Sequence, residues 1–289
     1  MKDLNQVSRR QFLAWSVGAA SLAVGASTAV ITTPGSARAA EEIRLPLPYI
    51  DFVIDPEMVR QCAFNHYFNG GCMHGAASGL MQAFKEVYEG ENTGWDLLPL
   101  GMYKYGSGGV AGWGTLCGIL NGCMAVLNLI GLHGELGDHL MSWYSTTLFP
   151  TANCDGFVAT TGQEAIPDED VRAHTVSESP LCHISISKWC KAAGVSVADT
   201  SKSGIRYKDD RCSKICADTA AKTAELINEY ADNHQILEPF ATPAQYVGCL
   251  DCHSGRKDQV GKMDCLGCHV PEHVVKVGSE HPGKGKRRL

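Results

Sequence analysis

Apolar residues recur every three to four positions along much of the chain, which is the period of an amphipathic α-helix. This pattern predicts six helices, over residues 56–68, 72–89, 109–131, 134–148, 181–193 and 209–232. Asp55 stands before the first of them as an N-cap, with Pro56 in its first turn. Strand patterns are few and short. The predicted fold class is therefore mainly α, with a cysteine-rich helical domain followed by a small, loop-rich C-terminal segment.

The N-terminus has the pattern of an export signal. Arg9 and Arg10 form a twin-arginine pair before a weakly apolar run over residues 14–31, and Ala37 to Ala39 supply a cleavage site of small residues. The alternative is an amphipathic N-terminal helix. We expect a signal peptide over residues 1–39, cleavage after Ala39 and a mature protein in the bacterial periplasm. Twin-arginine export usually carries proteins that fold, often around a cofactor, before they cross the membrane.

Charge and apolar patterning exclude two classes of partner. The 289 residues carry 25 Lys and Arg against 31 Asp and Glu, a net charge of −6. A protein that binds nucleic acid is normally basic, so we expect no nucleic-acid partner. The leader holds four basic residues and one acidic residue, so its removal lowers the net charge to −9. No apolar run free of Gly, Ser and Thr reaches the ~20 residues of a membrane span, so we expect no permanent membrane anchor.

Two short motifs near the C-terminus predict covalent haem. Residues 249–253 and 265–269 both read C-x-x-C-H, in which two thiols bind the haem vinyl groups and the histidine ligates the iron. The expected attachment sites are Cys249, Cys252, Cys265 and Cys268, and the expected proximal ligands are His253 and His269. A zinc ribbon is the alternative, but it does not require a histidine directly after both cysteine pairs. The motifs predict two haems c per chain in a segment over residues 245–289.

The distal haem ligands are less strongly indicated. Eleven residues separate the two motifs and span at most ~40 Å when extended, so the two haems must lie close together. His273, four residues after the second motif, and His234, at the end of the last predicted helix, are candidate distal ligands. The alternative for each is an ordinary solvated histidine. A two-fold partner could supply such ligands without extra chain length, which predicts a homodimer whose haem ends meet.

Nine of the 13 cysteines lie upstream of the haem motifs: Cys62, Cys72, Cys117, Cys123, Cys154, Cys182, Cys190, Cys212 and Cys216. They show no disulfide pattern. Buried cysteines can be merely small apolar residues, and disulfides are a further alternative. A set of clustered thiolates suits iron–sulfur ligation. Haem c is attached outside the cytoplasm, so an iron–sulfur centre assembled inside would explain the folded-export leader. The domain over residues 40–244 is therefore expected to hold such a centre.

The chain resembles the split-Soret cytochromes c of sulfate-reducing bacteria. The matching features are the leader, the paired C-x-x-C-H motifs, Cys72 after Gly71, the stretch 108–122 around Cys117, and the stretches around Cys154 and Cys212. The resemblance implies a homodimer with two bis-histidine haems per chain and a [2Fe–2S]-type centre. It also implies a set of first-choice cluster ligands, which are Cys72, Cys117, Cys154 and Cys212. Cys182 and Cys190 are rivals for the third place in that set.

Together these features predict a periplasmic electron-transfer protein that exchanges electrons with redox partner proteins. The alternative is a small haem or iron–sulfur reductase, since catalysis at haem needs a vacant or weakly held iron position. The haem segment carries eight basic and five acidic residues, so it is more positive than the rest of the mature chain. Such asymmetry would orient an acidic redox partner toward the haem end.

Overall fold

Five α-helices and one two-stranded sheet form within residues 43–49 and 52–238, the part of the chain that the computed structural model describes. The helices are α1 (Pro56–Val87), α2 (Gly118–Leu129), α3 (His133–Thr146), α4 (Cys182–Ala193) and α5 (Tyr207–Asn233). Strands β1 (Leu148–Phe149) and β2 (Thr175–Val176) pair antiparallel. The mainly α fold class is confirmed. The predicted signal peptide over 1–39 and the predicted haem segment over 245–289 lie outside the described residues.

Helix α1 is two helices joined by a sharp reversal at Gly71, as the break between the first two predicted helices indicated. Gly71 has φ 79° and ψ −166°, a conformation that glycine adopts without a Cβ clash. The two halves then fold back on each other, because a Cβ added to Gly79 would lie 2.7 Å from the Cβ of Ala63. Only glycine permits this approach, and it places Cys72 at the start of the second half.

The core forms where α1 packs against α5 and α2. Helix α2 is short and almost wholly apolar, and Ile119, Leu120, Val126 and Leu127 are each no more than 1% exposed. Helix α3 packs on both α2 and α5, so α2 lies between α1 and α3. Most of α5 is buried from residue 210 to 227, so this helix is the central element of the described bundle.

The prediction of one helix over 109–131 is wrong in its first half. The helix begins only at Gly118, and residues 107–116 form a loop in which Gly108, Gly109, Gly112 and Gly114 have positive φ. Apolar residues in this stretch favoured a helix, but glycine readily adopts the left-handed backbone that ends helices. The predicted loop over 90–108 contains two short 3₁₀ helices, Trp95–Leu97 and Leu100–Gly106.

The remaining helix boundaries agree with the predictions to within two residues. Helix α3 ends at Thr146, α4 begins at Cys182 and α5 covers Tyr207–Asn233. Within the described ranges 43–49 and 52–238, none of the helices combines the length and apolar character that crossing a bilayer requires.

Candidate metal centre

Four cysteines from four helical regions meet in two pairs, and we refer to them together as the four-thiol site: Cys72, Cys117, Cys182 and Cys212. The thiols of Cys72 and Cys212 influence each other's pKa, and so do the thiols of Cys117 and Cys182, which identifies each pair as close neighbours. The two pairs are neighbours, because Cys117 acts electrostatically on Cys72 and Cys212 acts on Cys182. The packing of α1 on α5 forms the first pair.

A short antiparallel bridge between Leu116 and Leu181 forms the second pair. The backbone N–H of Cys117 donates to Pro180 O at 2.9 Å, and the N–H of Cys182 donates to Thr115 O at 2.8 Å. These bonds hold the starts of α2 and α4 side by side. The two sulfur atoms are therefore positioned by backbone contacts rather than by flexible side chains.

Three of the four cysteines lie where a helix begins. Cys72 follows the reversal at Gly71, Cys117 is the N-cap of α2 and Cys182 is the first residue of α4. Cys212 lies in the second turn of α5. A helix N-terminus carries a partial positive charge and favours thiolates. The arrangement therefore favours negative charge on the sulfur atoms.

Each pair contains one thiol with a lowered pKa and one with a raised pKa. Interaction with the Cys72 thiol, aided by Lys208 and Arg211, lowers the pKa of Cys212 to about 6 despite its burial. Interaction with the Cys117 thiol similarly lowers the pKa of Cys182, while the partner thiols and burial raise the pKa values of Cys72 and Cys117. Each pair therefore loses its first proton more readily than an isolated cysteine, and thiolate is the form that binds metals.

Further polar groups act on two of the sulfur atoms. The backbone of Gly108 acts to lower the pKa of the Cys72 thiol, and the Tyr144 hydroxyl and the backbone of Ile119 act to lower that of Cys117. The loop carrying Gly108 packs tightly here, because a Cβ on Gly118 would collide with the Gly106 carbonyl oxygen. Cys72, Cys117 and Cys212 are each at most 5% exposed. Three of the four thiols are thus buried, and Cys182 is half-buried.

Cys154 is not brought to the four-thiol site. It is fully buried in a separate cluster with Phe64, Ala159, Ala165 and Ala217. Ala217 follows Cys212 by five residues, about 140° further around α5, so Cys154 packs on another face of that helix. Burial and the nearby Asp218 carboxylate raise the pKa of the Cys154 thiol, which disfavours a thiolate there.

The other cysteines do not join either thiol pair, although Cys216 lies beside Cys72. Cys190, the second rival for the third ligand place, is half-buried on α4, and burial raises its pKa although Arg211 acts in the opposite direction. Burial raises the pKa of Cys123 to about 12, and the Cys216 thiol donates to the Cys72 carbonyl oxygen at 3.4 Å. Cys62 is half-buried, with its pKa raised by burial and by Glu86.

Of the predicted haem residues, only His234 is described. It is exposed at the C-terminus of α5, with φ 54°, and its backbone N–H donates to Tyr230 O at 2.8 Å. The other residues of that prediction lie outside the described part of the chain: Cys249, Cys252, His253, Cys265, Cys268, His269 and His273.

The four-thiol site is arranged as two pairs of donors. Among the residues that the structure describes, no three His, Cys, Asp or Glu side chains are arranged to hold a single metal ion. Two adjacent pairs of thiols would offer two ligands to each iron of a two-iron group. The thiol chemistry, the N–H donors and the helix N-termini all fit an anionic iron–sulfur group.

Comparison with known proteins decides the family. Split-Soret cytochrome c from Desulfovibrio desulfuricans is 31% identical to this chain over 226 residues, which cover 75% of each sequence. The chain belongs to the split-Soret cytochrome c family. It is therefore a haem cytochrome c, and the resemblance seen in the sequence is confirmed. No model of a protein family matches the chain.

A solved structure of split-Soret cytochrome c from Desulfovibrio desulfuricans also matches. It has a TM-score of 0.61 and 28% sequence identity, and the match covers 76% of this chain and 89% of that one. That structure is described as containing a novel iron centre.

Sequence reasoning ranked Cys182 behind Cys154 and did not single out Tyr144, Lys208 or Arg211. One sequence signal could have raised Cys182, because it lies at the start of the predicted helix over 181–193 as Cys72 lies at the start of the predicted helix over 72–89. That Cys117 also lies where a helix begins became visible only in the structure. No local pattern marked Tyr144, because its contact with Cys117 depends on the packing of α3.

Proposed function

We propose that this chain is a periplasmic dihaem c-type cytochrome that transfers electrons and also carries a [2Fe–2S]-type centre. The ligands of that centre would be the members of the four-thiol site. The observation that carries the proposal is the meeting of two thiol pairs, each with one pKa lowered, in one buried location. When bound there, a [2Fe–2S] group supplies reversible one-electron chemistry.

The residues around the site favour this centre in three ways. Helix N-termini at Cys72, Cys117 and Cys182 stabilise its negative charge. Lys208 supplies a positive charge near the site. Burial acts to lower its pKa, but the Cys212 sulfur and Asp209 outweigh burial and raise the pKa overall, so the amine stays protonated. The third contribution comes from polar groups that lower the pKa values of Cys72 and Cys117, namely the Gly108 and Ile119 backbone and the Tyr144 hydroxyl, since such groups around a ligand sulfur tune iron–sulfur potentials.

Electron transfer suits this site better than catalysis. Cys72, Cys117 and Cys212 are each no more than 5% exposed, so a substrate has no direct contact with these sulfur atoms. A buried centre can still exchange electrons over a distance. The competing proposal, a small reductase, requires an open iron position at a haem. Carbon monoxide added to the reduced protein separates the two, because a spectral shift indicates an open haem and an unchanged spectrum supports the carrier.

Covalent attachment of two haems is the first prediction. Cys249 with Cys252 and Cys265 with Cys268 are the pairs that combine the C-x-x-C spacing with a following histidine. We expect intact-mass analysis of the mature protein, made in a host that attaches haem c, to show two added haem masses. Alanine at both Cys265 and Cys268 should leave one haem mass. A wild-type protein with one haem or none would contradict the prediction.

We further propose a homodimer whose haem ends meet, with His253 and His269 as proximal ligands and His273 as a distal ligand supplied by the partner. The support is the short spacer between the motifs and the economy of a two-fold interface. His234, exposed at the end of α5, is the second candidate. We expect sedimentation analysis of the mature protein to show a dimer. A monomer in which both haems are six-coordinate would contradict ligand exchange between chains.

A further inference from the structure

A hydrogen-bonded network ties α1 to the start of α5, and its members are Tyr67, Arg206, Lys208 and Asp209. The Tyr67 hydroxyl donates to Asp209 Oδ1 at 3.1 Å, and Lys208 Nζ donates to the same oxygen at 2.8 Å. Lys208 Nζ also lies 3.5 Å from the Tyr67 hydroxyl. Tyr67 is buried, and the Lys208 and Asp209 side chains are 21% and 14% exposed. Tyr67 and Asp209 therefore hold the Lys208 ammonium in one place.

This network lies beside the pair formed by Cys72 and Cys212. Lys208 and Cys212 are four positions apart within α5, and residues at that spacing are neighbours on one face of a helix. On α1, Tyr67 packs against Gly75, less than one turn after Cys72, because a Cβ added to Gly75 would lie 2.9 Å from the Tyr67 Cα. Among the groups that lower the pKa of Cys212, Lys208 comes second to the Cys72 thiol. The ammonium thus acts on this pair of thiols.

The network leaves a positive charge beside the thiols although it contains a carboxylate. Asp209 Oδ2 accepts from Arg206 Nε at 2.6 Å, and the Arg206 side chain is 54% exposed. Arg206 therefore balances the charge of Asp209 from the solvent side, and the charge of Lys208 is left uncompensated. A partly buried charge is screened by salt less than an exposed one. Lys208 can accordingly act on a charge that develops at the sulfur atoms.

We propose that Lys208, held by Asp209 and Tyr67, raises the reduction potential of the proposed iron–sulfur centre. The inference rests on the proposed function, because it needs a centre ligated by Cys212. Reduction adds one negative charge, so a fixed positive charge nearby stabilises the reduced form more than the oxidised form. The electron comes from a reduced c-type haem, which becomes oxidised. Lys208 keeps its proton, and no covalent bond forms or breaks.

The test is a mediated redox titration of the mature holoprotein and its Lys208→Met variant, in which electron paramagnetic resonance follows the iron–sulfur signal. Methionine keeps an unbranched side chain but removes the charge. We expect the variant to shift the reduction equilibrium about tenfold toward the oxidised form, which equals about 59 mV for one electron. Lys208→Arg retains the charge and should stay close to the wild-type potential.

The matched control is Lys222→Met on the same helix. The Lys222 side chain is 28% exposed, and its Nζ lies 2.9 Å from a carboxylate oxygen of Glu225, so its surroundings resemble those of Lys208. Lys222 follows Cys212 by ten residues, which is about 15 Å along the helix axis and beyond the ~8–10 Å screening length near physiological ionic strength. The control should keep the wild-type potential.

A second variant keeps the test decisive if Lys208→Met does not retain iron. Lys208→Gln removes the charge but keeps a polar group near Asp209, and we expect the same shift. An unchanged potential in the variant that has normal iron and sulfide content would overturn this inference. It would also be overturned if Lys208→Arg shifted as far as Lys208→Met, because the charge would then not be the cause. A wild-type protein without an iron–sulfur signal would instead overturn the proposed function.

Discussion

Alanine in place of Cys182 is expected to remove the non-haem iron and acid-labile sulfide from the mature protein while both haems stay attached. Cys182 is the first residue of α4 and the thiol partner of Cys117, so the variant would leave one iron of the proposed centre with a single protein thiolate. Haem attachment depends on motifs more than 60 residues away in sequence. Haem content therefore reports on export and folding in the same sample.

The matched control is Cys154→Ala. Cys154 is buried in a separate cluster beside Ala217, so its loss removes a similar volume without touching the four-thiol site. We expect this variant to keep its iron and sulfide, measured against haem on one preparation. Cys190→Ala should also keep them. If Cys154→Ala loses the iron and Cys182→Ala retains it, Cys154 is the ligand and the proposed ligand set is wrong.

The free energy of unfolding is expected to fall by about 3–5 kcal/mol when Asp218 is replaced by asparagine, because a buried ion pair is broken on one side. Asp218 on α5 pairs with Arg60 on α1, and their side chains are 2% and 8% exposed. Its carboxylate also accepts from Thr151 Oγ1 at 2.6 Å and Asn153 Nδ2 at 3.0 Å. An asparagine amide group would turn at least one N–H toward these donors.

Urea unfolding of the mature protein, followed by circular dichroism, measures this change. Glu225→Gln on the same helix is the control, since its partner Lys222 lies at 2.9 Å and the two side chains are 45% and 28% exposed. A partly exposed pair contributes little, so we expect a change within about 1 kcal/mol. If both variants lower the free energy of unfolding by the same amount, the buried ion pair contributes no more to stability than the partly exposed one.

Local features of the sequence were enough to predict most of the helices and the attachment of haem. The period of apolar residues and the end signals placed most helix boundaries within two residues, because caps, glycine and proline act over one or two turns. The C-x-x-C-H motifs are contiguous, so they need no knowledge of the fold. The error over 109–117 is also local, because apolar residues favour a helix there while Gly108, Gly109, Gly112 and Gly114 adopt positive φ.

Only the tertiary structure decided which thiols meet. Cys72 and Cys212 are 140 residues apart in sequence, and Cys117 and Cys182 are 65 apart. Their pairing depends on how α1 packs on α5 and on the bridge between Leu116 and Leu181, neither of which leaves a local pattern. The nine upstream cysteines could form many different pairs. Packing across the core decides which face of α5 each cysteine contacts and therefore which pairs form. The lowered pKa of Cys212 follows in turn, because it depends on neighbours that only the folded chain supplies.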